Sequence, residues 1–327
     1  MRFYANVYTM TKIDQPSVQQ FEIPVTVRQP RELAQNFKLN GALVPAENAE
    51  QVADVVAFGG LGFNGNVPAL AAKRTAGHEG GRGILVVEAP NYAKTGKTPK
   101  DLVRELNTDP NASWKDLFSD RLETFGAQQV NGAYDWLIDT GKITPDAHTI
   151  GESQAAKAVA EAALEDAEKM RGMLILLRAM GGVVLGSIPT LVGGLARSAP
   201  EVMFDRATVP TGLHASGQFL ADRFKYGGRM SDYVIKSTIW PDVLNLAEMQ
   251  PDRAVHTVVS TRDKLEPAQG QHAAAAAAQG AGNDTLTNNF YVVEGGHVSL
   301  ATKPGAKQLA QVAQHARGTA PLPRYNP

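Results

Sequence analysis

The sequence predicts an α/β fold, a mostly parallel central sheet with helices on both faces, entered through an N-terminal β-hairpin and interrupted by one long cap insertion. Three observations carry this expectation. Short continuous apolar runs recur from residue 52 onward, and Ala-rich stretches of helical character alternate with them. One segment, residues 178–254, breaks the rhythm and is far longer than a βα crossover needs.

The elements follow in order. Phe3, Ala5 and Val7 alternate with polar residues, as do Phe21, Ile23, Val25 and Val27, and Asp14-Gln15-Pro16 lies between the two runs. Alternation on both sides of a turn signal predicts a hairpin within residues 1–30. Residues 31–50 are mixed, and no element is assigned to them. The apolar runs are VADVVAF (52–58), GILVVEA (83–89), AHTI (147–150), MLILL (173–177), VHTVVS (255–260) and FYVVE (290–294), AHTI carrying the weakest strand signal. Runs without polar alternation suit parallel strands buried on both faces. The helical stretches are Val67 to Ala76, Ser119 to Thr140, Gln154 to Met170, and Ala306 to Ala316 after the break at Pro304-Gly305. The Ala273 to Ala278 run reads as an exposed helix of the best helix former. The insertion carries Phe204, Phe219, Phe224, Tyr226, Tyr233 and Trp240. Residues 1–183 and 251–327 are therefore expected to form the core, and 184–250 an insertion that is either a cap or lid or a set of extra helices completing the core.

Composition narrows the function. The chain has 327 residues, 43% of them hydrophobic, which supports a sizeable core. With 32 basic and 33 acidic residues it offers no overall field for a nucleic acid. It has no cysteine, so disulfides, thiolate metal sites and cysteine nucleophiles are excluded. MRFYANVYTM does not read as a signal peptide, and a cytoplasmic location is expected. Met173 to Ala196 is long enough to span a bilayer but contains Arg178, Pro189 and five glycines. It reads instead as the strand MLILL running into a Gly-rich loop, so no membrane span is expected. No HExxH or close His/Asp cluster suggests a metal; His214 with Asp222 or Asp232 reads as structural. Nothing in the sequence speaks to oligomeric state.

Three places can carry chemistry. The first is Gly151-Glu152-Ser153-Gln154-Ala155, between a short strand and an Ala-rich helix. A Ser in a sharp strand-to-helix turn exposes its hydroxyl, and the turn needs small residues two before and two after it. Gly151 and Ala155 meet that need, and the Gln154 N–H would face a developing oxyanion. The competing reading makes Ser153 a helix N-cap. The second is Phe58-Gly59-Gly60-Leu61-Gly62-Phe63-Asn64-Gly65. It serves equally as an oxyanion loop donating the Leu61 N–H, as a plain tight turn, or as a dinucleotide fingerprint with Gly60, Gly62, Gly65 and Glu88. The third is the pair Asp263 and His297, each just past the end of an apolar run, where open α/β sheets place their sites. Singly, each of these two also reads as an ordinary loop residue.

Taken together, in the order Gly-rich loop, GESQA, Asp263 and His297, the sequence resembles the α/β-hydrolase superfamily over roughly residues 50–316. The resemblance implies that Ser153 attacks an acyl carbonyl, His297 moves its proton, and Asp263 fixes the histidine tautomer. It also implies an oxyanion hole from the backbone N–H groups of Leu61 and Gln154. The sequence departs from the family at Ala155, where Gly is usual, and at Gly59, where many members have His. The Ser-Gln pair is similar to that of cutinase-like members. The expected function is that of a serine hydrolase acting without metal or organic cofactor on a small-molecule carboxylic ester with an apolar group. The alternatives are an NAD(P)-binding Rossmann-type oxidoreductase and a non-catalytic hydrolase-like ligand binder.

Overall fold

The computed structural model describes residues 17–28, 34–45, 52–60, 66–79, 83–88, 122–182, 193, 238–280 and 284–327. Among the described residues eight strands form one sheet: β1 (Gln19–Arg28), β2 (Ala34–Leu43), β3 (Ala53–Phe58), β4 (Ile84–Val87), β5 (Ile143–Glu152), β6 (Leu174–Leu177), β7 (Val255–Ser260) and β8 (Phe290–Val293). Their spatial order is β1-β2-β4-β3-β5-β6-β7-β8. β1 pairs antiparallel with β2 and β2 antiparallel with β4, and every remaining pairing is parallel. The described helices are α1 (Val67–Glu79), α2 (Leu122–Asp139), α3 (Gln154–Glu165), α4 (Trp240–Met249), α5 (Ala268–Gln279) and α6 (Lys303–Ala316).

The continuous apolar runs are explained by burial on both faces. Along β6, Leu174 and Leu176 pack on one side while Ile175 and Leu177 pack on the other. Val56 and Phe58 of β3 likewise oppose Val55 and Ala57. The first face is covered by α2, α3 and α4, through residues such as Tyr134, Val159 and Leu246. The second is covered by α1 and α6, through Ala72, Leu309 and Val312. Successive side chains on a strand point to opposite faces, so only a doubly covered sheet demands apolar residues at every position.

Two expectations change at the N-terminal side. Among the described residues the partner of the 21–27 run is β2, with Ile23 opposite Leu39 and Val25 opposite Phe37. The earlier run at Phe3, Ala5 and Val7 lies outside the described residues. The AHTI strand is also longer than its apolar part, beginning at Ile143. Ala53 pairs with Ile143 but Val55 with His148, so a bulge absorbs the polar stretch with Pro145 and Asp146.

Helix ends differ for local reasons. α3 stops at Glu165 and a short 3-10 turn, Ala167–Lys169, follows it. α6 begins before Pro304 rather than after it. Thr302 caps it by accepting from the Gly305 N–H at 3.0 Å, and Pro304 sits in the first turn, where no intrahelical N–H is needed. The C-terminal tail then lies along β8, with Val292 N–H donating to Pro323 O at 2.9 Å and Tyr325 N–H to Phe290 O at 3.0 Å.

Candidate active site

β5 ends at Glu152 and α3 begins at Gln154, which leaves Ser153 alone in the turn. Its backbone has φ 55° and ψ −118°, a conformation that costs a non-glycine residue about 1–3 kcal/mol. The surroundings hold it there. Ser153 N–H donates to Leu177 O at 2.9 Å, and its carbonyl accepts from Met180 N–H at 3.0 Å and Ala156 N–H at 3.2 Å. Two glycines make room. A Cβ on Gly151 would lie 2.7 Å from Ala156 Cα, and one on Gly60 would lie 2.7 Å from Ser153 Cβ. The Ser153 side chain makes no helix-capping bond, which removes the N-cap reading.

The Ser153 hydroxyl instead lies 3.0 Å from Nε2 of His297, whose Nδ1 is 2.8 Å from Asp263 Oδ2. His297 stands on the loop after β8. There Gly295 has φ +123°, Arg262 N–H donates to Gly295 O at 2.7 Å, and Gly295 N–H donates to Thr261 Oγ1 at 3.1 Å. These bonds tie the loops after β7 and β8 together. The other Asp263 oxygen, Oδ1, accepts the Leu265 and Glu266 N–H groups at 2.9 and 2.8 Å. Burial raises the Asp263 carboxyl, but the charge and hydrogen bond of His297, the Glu266 amide and the Arg178 guanidinium outweigh it and hold the group below its ordinary value. An ionised Asp263 keeps the proton on Nδ1 and leaves Nε2 to accept from the serine hydroxyl. Glu294, the other acid near His297 in sequence, is exposed.

A buried charge network beneath these residues has no counterpart among the sequence expectations. Arg178 is fully buried at the end of β6 and donates to Glu152 Oε1 at 3.1 Å, Gln308 Oε1 at 2.9 Å and Gly296 O at 3.3 Å. Glu152 Oε2 accepts the Gly60 N–H at 2.6 Å, and Gln308 Nε2 donates to Glu294 O at 2.8 Å. The available signal was Arg178 itself, a charge at the end of an apolar strand, with Glu152 directly before the elbow serine.

Gln154 is buried and opens α3, which places its N–H in the first helical turn, where amides point toward the helix N-terminus. Leu61, Gly62 and Gly65 lie outside the described residues, as do His214, Asp222 and Asp232. Glu88 is fully buried and accepts the Asn40 backbone N–H at 2.8 Å and the Asn40 Nδ2 at 2.7 Å on one oxygen. A carboxylate so enclosed has no open face for a ribose. Of the stretch 184–250, Gly193 and residues 238–250 are described. Ile239 N–H donates to Gly181 O at 3.1 Å and Trp240 Nε1 to Gly182 O at 2.8 Å, so the chain returns to the sheet beside the point where it left. α4 then packs against the core through Trp240, Val243 and Leu246. Among the described residues no group of three His, Cys, Asp or Glu could hold a metal ion, and no helix is long and apolar enough to cross a membrane.

No family model matches this chain, and no curated protein matches it. Solved structures do. A serine hydrolase involved in carbazole degradation is 12% identical over 91% of this chain and 99% of its own, with a TM-score of 0.50. An esterase from Pyrobaculum calidifontis is 16% identical over 92% of this chain and 85% of its own, with a TM-score of 0.48. Carboxyl esterase 2 from Tuber melanosporum is 11% identical over 96% and 90%, with a TM-score of 0.47.

Proposed function

The chain has the α/β-hydrolase superfamily fold, and on that premise we propose that it is a serine hydrolase cleaving carboxylic esters through an acyl-enzyme. The observation that carries this reading is the hydrogen-bond chain Ser153–His297–Asp263 on a strained strand-to-helix turn.

The chemistry runs in two halves. The Ser153 hydroxyl gives its proton to His297 Nε2 while Oγ bonds to the ester carbonyl carbon. The Gln154 and Leu61 N–H groups stabilise the resulting oxyanion. His297 then passes its proton to the departing alkoxide, the carbon–oxygen bond breaks, and an alcohol leaves. A water gives a proton to His297 and attacks the acyl-enzyme. The proton returns to Ser153 Oγ as the carboxylic acid is released. Asp263 holds the ring and balances the imidazolium in both halves.

A small-molecule ester with an apolar group suits the aromatic content of residues 184–250, which on this reading act as the cap. The chemistry asks for no metal and no organic cofactor. The buried, Asn40-bound Glu88 argues against the dinucleotide alternative.

The test is covalent labelling of folded protein with a fluorophosphonate, mapped by mass spectrometry. An adduct on Ser153 is expected. An adduct on a different serine would refute the assignment of the nucleophile, and no adduct together with no turnover of p-nitrophenyl esters would refute the activity.

A further inference from the structure

Four loops around the proposed chemistry, each after a different strand, share one buried hydrogen-bond network. They are the glycine loop after β3, the elbow after β5, the loop after β6 and the histidine loop after β8. One buried guanidinium touches or reaches all of them. Arg178 closes β6, binds Glu152 of the elbow at 3.1 Å, and binds Gly296 O, next to His297, at 3.3 Å. Through Glu152 it reaches Gly60, whose N–H lies 2.6 Å from Oε2. Through Gln308 Oε1, at 2.9 Å, it reaches Glu294 O at 2.8 Å, a second hold on the loop before His297.

The energetics make an ion pair an odd choice for mere stability. Burying two charges costs several kcal/mol per ion before their attraction offsets it, and a well-packed apolar pair often serves better. What the pair adds is direction. A carboxylate accepts from two sides at fixed angles, and a guanidinium donates as a rigid fork. Here the two Glu152 oxygens face different loops, and two Arg178 nitrogens do the same. Arg178 also sits at φ 50°, a backbone angle uncommon for a residue other than glycine.

We propose that Arg178 is a positioning residue of the hydrolytic site, acting through Glu152 on the glycine loop and through Gly296 and Gln308 on the loop of His297. The role rests on the serine-hydrolase reading. It predicts that losing the pair slows the chemical step and leaves substrate binding largely intact, because the groups the pair holds are the backbone beside Ser153, the Gly60 amide and the loop that carries His297. Displacement of a reacting group by about 1 Å costs on the order of 100-fold in rate.

The experiment compares wild type with Arg178→Met, Arg178→Lys and Glu152→Gln on a p-nitrophenyl ester. The concentration of active sites is fixed by fluorophosphonate titration, and melting is followed by circular dichroism. Arg178→Met is expected to lower kcat per titrated site about 100-fold with KM within about threefold of wild type. Arg178→Lys, which keeps the charge and one donor but not the fork, should recover part of that loss. Glu152→Gln, which keeps the shape, should lose about tenfold in kcat. A merely structural role would lower the melting temperature and the titrated fraction while leaving kcat per site unchanged, and that result overturns the proposal. So does a loss that appears in KM alone. If Arg178→Met does not fold, Glu152→Gln decides by the same criteria. A wild type that neither turns over esters nor labels on Ser153 defeats the hydrolase reading, and this role with it.

Discussion

Ser153 and Arg178 close neighbouring strands, and among the described residues they are the two non-glycines with positive φ, at 55° and 50°. Their strands pair in register, Glu152 opposite Leu177, and the Ser153 N–H bonds to Leu177 O across the gap. The strain therefore sits at one place, the edge from which the candidate nucleophile and its buried cation both project. Backbone strain of this kind persists only where the surroundings over-determine it. The three backbone bonds to Ser153 from Leu177, Met180 and Ala156 are that determination.

Replacing Ser153 follows directly. Glycine adopts φ 55° without cost, and the serine side chain contributes no cap. Ser153→Gly should raise stability by about 1 kcal/mol while abolishing ester turnover. Ser153→Ala should abolish turnover with a melting temperature close to that of wild type. Thermal melts and initial rates on both variants check this; a large loss of stability would restore the capping role.

Gly60 faces the same point from the other side. A methyl there would lie 2.7 Å from Ser153 Cβ and 2.7 Å from Glu152 Oε2, closer than real Cβ atoms come. Both neighbours are buried and held, so the loop has to move. Gly60→Ala should cost about 1–3 kcal/mol of stability in denaturant melts. It should also cut turnover about 100-fold by shifting the glycine loop. Wild-type rates in this variant would mean that the loop takes no part in catalysis.

The residues chosen from sequence were legible because each follows a run of apolar residues long enough to mark a strand end. Ser153 follows AHTI, Asp263 follows VHTVVS and His297 follows FYVVE. A parallel sheet brings such ends to one edge, which is why positions 144 residues apart meet at 3.0 Å. Residues 34–43 stay unassigned from sequence, although Asn36, Lys38 and Asn40 alternate with Phe37 and Leu39 as in a half-buried strand, because the alternation is short and mixed residues flank it. Arg178, Glu152 and Gln308 were not legible either. A buried charge depends on partners from other elements, and no local pattern announces them.

Asp263 makes two separable kinds of bond. Oδ1 accepts two backbone amides and Oδ2 serves His297. Asparagine can keep the first pair through its carbonyl while turning an NH₂ toward Nδ1. That would place the histidine proton on Nε2, where it opposes the serine hydroxyl. Asp263→Asn should therefore lower kcat by about 10⁴ with a modest change in stability. Steady-state rates and denaturant melts test it, and near-normal turnover would move the acid to another residue, Glu294 first.

Acid should weaken the far edge of the sheet. His315 Nδ1 accepts the Leu322 N–H at 3.1 Å, so its proton is on Nε2, which donates to His256 Nδ1 at 2.9 Å. Tyr291 of β8 packs against both rings, and Arg324 of the tail adds positive charge nearby. Burial first, then His315 and Arg324, push His256 down to about 4, and burial lowers His315 as well. A depressed histidine makes the native state bind its proton later than the unfolded chain does. Its contribution to stability is whole above about pH 6.5 and is lost as pH falls toward 4. Allowing for the part exposure of the ring, the loss is on the order of 2 kcal/mol. The tail, held to β8 by Pro323 and Tyr325, should loosen first. Denaturant melts at pH 7.5 and pH 5 should show the drop, and His256→Phe should flatten it. An unchanged pH slope in that variant would place the acid sensitivity elsewhere, with His148 and His272, both also lowered by burial, the next to replace.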